Sequence, residues 1–396
     1  MSETARDSRS GAAERLAAAA LDLALEAGLE AVTARAVAER AGASVSATNY
    51  HFGGLPALTR QVRRACVAHC RAWRAANPPA TAPAAAWSSQ AARMAAAMMR
   101  ALDDLRPWLL LMSDFGGEAE AGFAEHGEDV AAEAAAWTDH WRAAAQAGGA
   151  RGEAAEAFAY LAQGLVDLLM GEPDAAVRAA WIIDPLARLE ARLSRAPLAG
   201  AAPDPAVRLL ADAPSAEGAR KILAAAIAVI GERGVARMTQ REVAAKAGLS
   251  LAATTYFFRT KSDLVRAAFH ELHRQVRLQV LEGQERRLNW PTLGADLLIN
   301  QAGRVRALSA LVRAAARDPA LRPLAEENRA TRGATSLGIL RASGVEDADG
   351  LDAFLWSTLM GAVFHRARLA PPQAQGELIA AGDALLPVVF EGAERL

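Results

Sequence analysis

The chain lacks the features that mark secreted and membrane-spanning proteins. Its 396 residues include two cysteines, too few for a disulfide framework. No apolar run reaches the roughly 20 residues that cross a bilayer. The polar N-terminus also lacks the apolar core of a signal peptide. We therefore expect a cytoplasmic protein with no membrane partner.

Catalytic motifs are missing as well. The sequence has no nucleophile elbow, phosphate-binding loop or zinc-protease motif. Cys66, His69 and Cys70 fall at helical spacing, near enough to share a metal or to form a thiol sensor, but a second ligand pair is absent and buried free cysteines are common. The sequence predicts no enzyme, no cofactor and no metal site.

Helix-forming residues dominate the composition. The chain is 52% hydrophobic and rich in alanine, leucine, arginine and glutamate, which favour helices. No stretch alternates apolar and polar residues in the manner of a half-buried strand. These patterns predict an all-α fold.

The net charge of −1 hides an uneven distribution of charge. Residues 1–72 carry a net +2 and residues 216–277 a net +6, whereas residues 73–215 carry −8 and residues 278–396 carry −1. Local patches matter more than the total for binding a polyanion. Two short basic segments therefore alternate with two acidic or neutral ones.

An internal repeat organises the chain. Residues 33–52 and 239–258 are identical at eleven of twenty positions, at an offset of 206 residues. The match extends backwards to Gly28 and Gly234, each suited to end a first helix. Repetition at a fixed offset predicts two copies of one structural unit.

Each copy has the pattern of three helices. A capping threonine begins a short second helix, a glycine provides a tight turn, and a serine caps a short third helix. In chain order these residues are Thr33, Gly42 and Ser44 in the first copy, and Thr239, Gly248 and Ser250 in the second. Two short helices around a glycine turn form a helix-turn-helix, whose second helix fits the major groove of DNA.

The third helix is predicted to present small or polar residues outward, where they can contact bases or phosphates. A plain helical hairpin is the alternative, but the same order of caps, turn and aromatics in two basic segments favours DNA binding. The predicted DNA-contacting residues of the two copies are Thr33, Arg35, Ser44, Val45, Ser46, Thr48, Asn49, Tyr50 and His51, and Thr239, Arg241, Ser250, Leu251, Ala252, Thr254, Thr255 and Tyr256.

The segments "TARAVAERAGASVSATNYHF" and "TQREVAAKAGLSLAATTYFF" resemble the DNA-binding signature of the TetR family of bacterial transcriptional regulators. The resemblance is specific over residues 12–66 and 217–272. It implies an all-α fold with a three-helix DNA-binding head and a larger helical body. In that family two chains pair through their last helices, and the body holds an inducer pocket.

The chain departs from the family pattern at two places. The family often has an aromatic residue where Asn49 and Thr255 stand. It also tends to place a phosphate-contacting lysine at the start of the fourth helix; Lys261 matches, but Leu55 occupies that position in the first copy. We expect the second head to supply more of the affinity for phosphates. The alternative cations of the first head are Arg60, Arg63 and Arg64.

The repeat predicts two TetR-like units fused in one chain as an intramolecular pseudo-dimer. The last helices of each unit, about 151–194 and 348–395, are expected to pack as a four-helix interface. The predicted domains are a first helix-turn-helix head at 1–75, a first helical effector and pairing body at 76–195, a linker at 196–215, a second head at 216–277 and a second body at 278–396.

The first body is rich in large apolar side chains. They form either ordinary core or a pocket for a small apolar or aromatic effector. The predicted pocket residues are Met98, Trp108, Met112, Phe115, Trp137 and Trp141.

The sequence therefore predicts a ligand-responsive repressor that binds double-stranded operator DNA as a monomeric pseudo-dimer, with higher assembly possible. The alternative is a DNA-binding regulator or scaffold that a protein partner controls, with no small-molecule effector.

Overall fold

The computed structural model describes residues 3–79, 89–120, 127–198, 200–204, 215–285 and 301–393, and it has no strand within them. The all-α prediction is confirmed. The helices of the first half are α1 (Glu3–Ala27), α2 (Ala34–Ala41), α3 (Val45–Phe52), α4 (Leu55–Ala76), α5 (Gln90–Glu120), α6 (Gly127–Ala147), α7 (Gly152–Leu169) and α8 (Ala175–Ser194). Those of the second half are α9 (Glu217–Arg237), α10 (Gln240–Ala247), α11 (Leu251–Phe257), α12 (Lys261–Glu285), α13 (Ala302–Arg317), α14 (Arg322–Ala330), α15 (Ser336–Ala342), α16 (Gly350–Leu369), α17 (Pro372–Asp383) and α18 (Leu386–Val389).

Backbone contacts divide the chain into two compact units. The first unit comprises residues 1–77 and 105–133, and the second comprises residues 78–104 and 134–396. The first head, α1 to α4, therefore belongs to the first unit, and the second head, α9 to α12, belongs to the second. Helices α5 and α6 contribute residues to both units. The domain boundaries drawn from the sequence stay a prediction.

The same local signals build the turn between the second and third helices of each head. Thr33 caps α2 by accepting a hydrogen bond from the Ala36 amide at 3.1 Å, and Thr239 caps α10 in the same way. The turns then pass through Gly42 at φ 61° and Gly248 at φ 68°. This left-handed conformation favours glycine, which has no side chain to clash.

The turn before the fourth helix differs between the heads. The first head uses Gly53 and Gly54, both at positive φ. The second head uses a reciprocal cap, in which Thr260 accepts a hydrogen bond from the Asp263 amide at 3.0 Å and donates its own amide to the Asp263 carboxylate at 3.1 Å. The two heads thus begin their fourth helices with different chemistry at equivalent positions.

The second head packs directly on helix α13. The backbones of α9 and α13 come so close that a Cβ added at Gly231 would lie 2.6 Å from the Gly303 carbonyl oxygen. Arg306 donates to the Gly231 carbonyl at 3.4 Å. A methyl group does not fit at this crossing, so the first helix of the head and the body helix are held in close contact.

Helix α7 of the first half packs against α16 of the second half. A Cβ added at Gly164 would lie 2.2 Å from the Thr358 carbonyl oxygen, so glycine is required for this approach. Nearby, the rings of Trp181 on α8 and Phe354 on α16 lie 5.2 Å apart. The late helices of the two halves therefore share one core within the second unit.

A buried cluster of charges joins α8 to the start of α16. Asp352 is fully buried and accepts from Arg188 at 3.1 Å and from Arg192 at 2.6 Å. Asp349 also pairs with Arg188, at 3.0 Å, and accepts from the Ala202 amide at 2.8 Å. Burial acts to raise the pKa of Asp349, but these hydrogen bonds hold it below its ordinary value. The cluster fixes α8 against α16 and holds the chain that follows α8.

Gly164→Ala is expected to destabilise the protein by about 1–3 kcal/mol, because the added methyl forces α7 away from α16. Gly376→Ala is the matched control, since Gly376 is an exposed glycine within α17 whose Cβ would meet nothing within 4 Å. The control is expected to raise stability by up to about 1 kcal/mol. Urea titration measures both. Equal effects of the two substitutions would contradict the close crossing.

His273 on α12 is mostly enclosed by protein. Its ring lies 4.2 Å from that of Phe269, and its Nε2 has no hydrogen-bond partner within the described residues. Burial lowers the pKa of His273 to about 4; His270 and Arg332 act in the same direction, and Glu327 opposes them. The folded protein therefore favours the neutral ring.

Acidification is expected to destabilise the second unit through His273. The folded pKa of about 4 lies below the ordinary 6.5. The stability that depends on a neutral His273 is therefore complete above pH 6.5 and is lost as the pH falls towards 4. The difference between the two pKa values corresponds to about 3 kcal/mol of unfolding free energy. Unfolding of His273→Leu measured between pH 7 and 4 should show a shallower loss of stability than the unsubstituted chain. An unchanged slope would show that another group is responsible.

Candidate nucleic-acid interface

The third helices leave large side chains in solvent. Val45 is 53% exposed and Tyr50 64% exposed on α3, and Leu251 is 46% exposed and Tyr256 81% exposed on α11. Within a helical protein such side chains usually pack inward. Their exposure at the same positions of both heads indicates a surface that meets a partner.

Smaller residues lie beside these large side chains. Ser46 and Asn49 are exposed on α3, and Ala252 is exposed and Thr255 half-buried on α11. His51 is half-buried, with its ring 5.0 Å from that of Tyr50 in an edge-to-face contact. These positions on the outer face of each third helix thus carry short side chains, which let the helix approach base edges closely.

Thr48 and Thr254 do not belong to this outer face. Both are fully buried, so the prediction that they point outward is wrong. The Thr48 hydroxyl has no hydrogen-bond partner within the described residues, and the Thr254 hydroxyl donates weakly to the Ser250 carbonyl at 3.4 Å. These threonines lie on the side of the third helix that packs on its own head.

The serines that begin the third helices behave differently. Ser250 accepts from the Ala253 amide at 3.1 Å and so caps α11. Ser44 instead shares a hydrogen bond with the Ser46 hydroxyl at 3.0 Å. All three hydroxyls are on exposed residues, near helix N-termini that attract phosphate oxygens.

One arginine of each head is exposed at an equivalent place. Arg35 on α2 and Arg241 on α10 are both exposed, and neither side chain has a partner within the described part of the chain. They are separated by the repeat offset of 206 residues. These two guanidinium groups are available to neutralise phosphates.

Two other cations near the heads are already engaged. Lys261 donates to the Ala236 carbonyl at 2.8 Å, which ties the start of α12 to the end of α9. Arg63 is buried and pairs with Asp129 at 3.3 Å, so it does not serve as an alternative phosphate contact of the first head. The expectation that the second head supplies more of the affinity for phosphates than the first stays a prediction.

Three of the predicted effector residues lie in the first unit. Trp108 is half-buried and stacks on His69 with ring centroids 3.8 Å apart. Phe115 is fully buried, and Met112 is half-buried. Cys66 beside them is buried and donates to the Trp108 carbonyl at 3.5 Å.

The other three lie in the second unit. Met98 is fully buried, and the rings of Trp137 and Trp141 are 5.7 Å apart. Trp141 donates its indole N–H to Gln163 at 3.2 Å. Aromatic side chains with one polar partner suit both a core and a ligand pocket, so the effector residues stay a prediction.

Both cysteines are buried free thiols on α4. A hydrogen bond with Cys70 and burial both raise the pKa of Cys66, which disfavours the reactive thiolate. Among the described residues no group of three or more potential ligands is placed to hold a metal ion.

The repeated geometry defines two helix-turn-helix heads of the kind that bind DNA. Each has a capped second helix, a left-handed glycine turn and an exposed third helix.

No described helix has both the length and the apolar character needed to span a membrane.

The family model of bacterial regulatory proteins, tetR family, matches the chain twice, at residues 16–60 and 222–268. The chain therefore carries two TetR-type DNA-binding domains in tandem, which support a DNA-binding transcriptional regulator of this kind. Members of this family are regulators rather than enzymes. No curated protein matches the chain.

Thr48→Val is expected to leave the base preference of the protein unchanged, because residue 48 is buried. Valine keeps the shape of threonine and removes a hydroxyl that no described residue pairs with, so stability should rise by about 1 kcal/mol. Asn49→Ala is the comparison: it should alter base preference and leave stability within about 0.5 kcal/mol. Selection from random DNA and urea titration measure the two effects. If Thr48→Val changes the base preference, residue 48 does contribute to DNA recognition.

Proposed function

We propose that the protein is a sequence-specific repressor that binds one operator as a single chain, with each head on one half-site. The observation that carries this proposal is the packing of α7 and α8 against α16, which joins late helices of the two halves in one core. In the TetR family that pairing is made by two separate chains. Here both partners belong to one polypeptide.

The chemistry of this packing supports a permanent pairing. Asp352 is fully buried and has two arginine partners. Separating the halves would leave the carboxylate and both arginines without their partners, which is costly for buried charges. Covalent linkage gives the halves an effective concentration on the order of millimolar. One chain is therefore sufficient to present two heads.

The two heads differ in sequence, so their operator need not be a palindrome. Palindromic sites reflect the two-fold symmetry of homodimers. For simultaneous binding, the heads must lie about 34 Å apart, one turn of DNA, or a multiple of it. A change in the body that alters this spacing lowers the affinity for the operator.

A small apolar or aromatic effector is the proposed cause of that change. Such a ligand binds more tightly to a body conformation in which the heads are wrongly spaced for DNA. It weakens operator binding by the difference between its binding free energies for the two conformations. The contact between Gly231 and Gly303 supports transmission, because movement of α13 must displace the first helix of the second head. If aromatic compounds that bind the chain leave its operator affinity unchanged, control by a protein partner is the better explanation.

The proposal predicts the stoichiometry of the complex. Light scattering should give the mass of one chain in solution, and titration should give one chain per pair of half-sites. An obligate dimer that places one chain on each half-site would contradict the pseudo-dimer.

Substitutions at the charge cluster supply the matched control. Asp352→Asn removes a buried charge and should lower operator affinity by weakening the pairing. Asp347→Asn removes a mostly exposed partner of Arg192 and should have little effect. Equal effects of the two would show that the pairing does not govern DNA binding.

A further inference from the structure

The outer faces of the two third helices have different chemistry. We define the first reading face as Val45, Ser46 and Asn49 on α3, and the second reading face as Leu251, Ala252 and Thr255 on α11. The two sets are equivalent through the offset of 206 residues, yet none of the three positions has the same residue in both heads. Of the eight equivalent positions at residues 45–52 and 251–258, four differ, and three of these four are the reading-face positions. The difference between the third helices therefore falls mainly where a partner would be recognised.

The first reading face carries an amide that has no hydrogen-bond partner among the described residues. Asn49 is exposed, and its side chain makes no hydrogen bond with any described residue. An asparagine amide can pair with both N6 and N7 of adenine in the major groove. Asn49 therefore offers a donor and an acceptor that only a base or water can satisfy.

The second reading face offers almost no free polar group. Leu251 is 46% exposed and Ala252 is exposed, and both are apolar. The Thr255 hydroxyl donates back to its own helix, with the Leu251 and Ala252 carbonyls both at 3.1 Å. The hydroxyl proton is thus already used, so Thr255 has no free donor to offer, and its methyl group adds to the apolar character of this face.

In the major groove the group that pairs with an apolar surface is the C5-methyl of thymine. We propose that the operator has two chemically different half-sites: the first reading face recognises adenine through Asn49, and the second recognises thymine methyl groups through Leu251, Ala252 and Thr255. This inference rests on the proposed function, since it assumes that each head binds one half-site.

The test begins with an operator that the full chain selects from random double-stranded DNA. Uracil in place of thymine removes only the C5-methyl group, and 7-deazaadenine in place of adenine removes only the N7 acceptor. Each base analogue is placed at one operator position at a time, and fluorescence anisotropy gives the dissociation constant. At the sensitive positions, the expected loss of affinity is about tenfold for 7-deazaadenine and about threefold for uracil.

Variants of the full chain assign each loss to one head. In Asn49→Ala the penalty for 7-deazaadenine should vanish while the penalty for uracil persists. In Leu251→Ala the opposite is expected. Both residues are exposed, and unchanged midpoints of urea unfolding check that the variants remain folded.

The outcomes separate this inference from the proposed function. If the chain selects no sequence at all, the proposed function fails and this inference fails with it. If it selects an operator but neither variant abolishes the penalty assigned to its own head, the repressor proposal stands and the chemical difference between the half-sites is wrong.

Discussion

The close crossing of α7 and α16 is the constraint on which the rest of the second unit depends. Gly164 lets the two helix backbones approach to a distance that excludes a methyl group. On the same helix α16, the fully buried Asp352 accepts hydrogen bonds from Arg188 and Arg192 of α8. A larger residue at position 164 would therefore act twice, first by steric overlap and then by leaving a buried carboxylate without its partners.

The heads were predictable because local signals determine them. Thr33 and Thr239 cap the next helix through a residue three positions away, and Gly42 and Gly248 provide a backbone angle that other residues adopt poorly. Such interactions depend only on neighbouring residues. The repeat strengthened the prediction because the same signals occur twice in the same order.

The parts that the sequence did not predict depend on distant or subtle contacts. The sequence places Thr48 and Thr254 on the outer face because helices rich in alanine and threonine show little contrast between their inner and outer sides, whereas both are buried. The buried Arg63 pairs with Asp129, 66 residues away. The pairing of Arg188 with Asp352 spans 164 residues, and no local pattern indicates it.

If one chain occupies both half-sites as proposed, the two third helices can evolve separately, because each is encoded by its own segment of one gene. In a homodimer a single mutation changes both half-site contacts together, so the operator must change twice before full affinity returns. Here a change at Asn49 leaves Thr255 as it was, and the reverse also holds. Protein and operator can then diverge one half-site at a time, while the buried threonines and the turn glycines, which packing and backbone geometry constrain, stay the same in both copies.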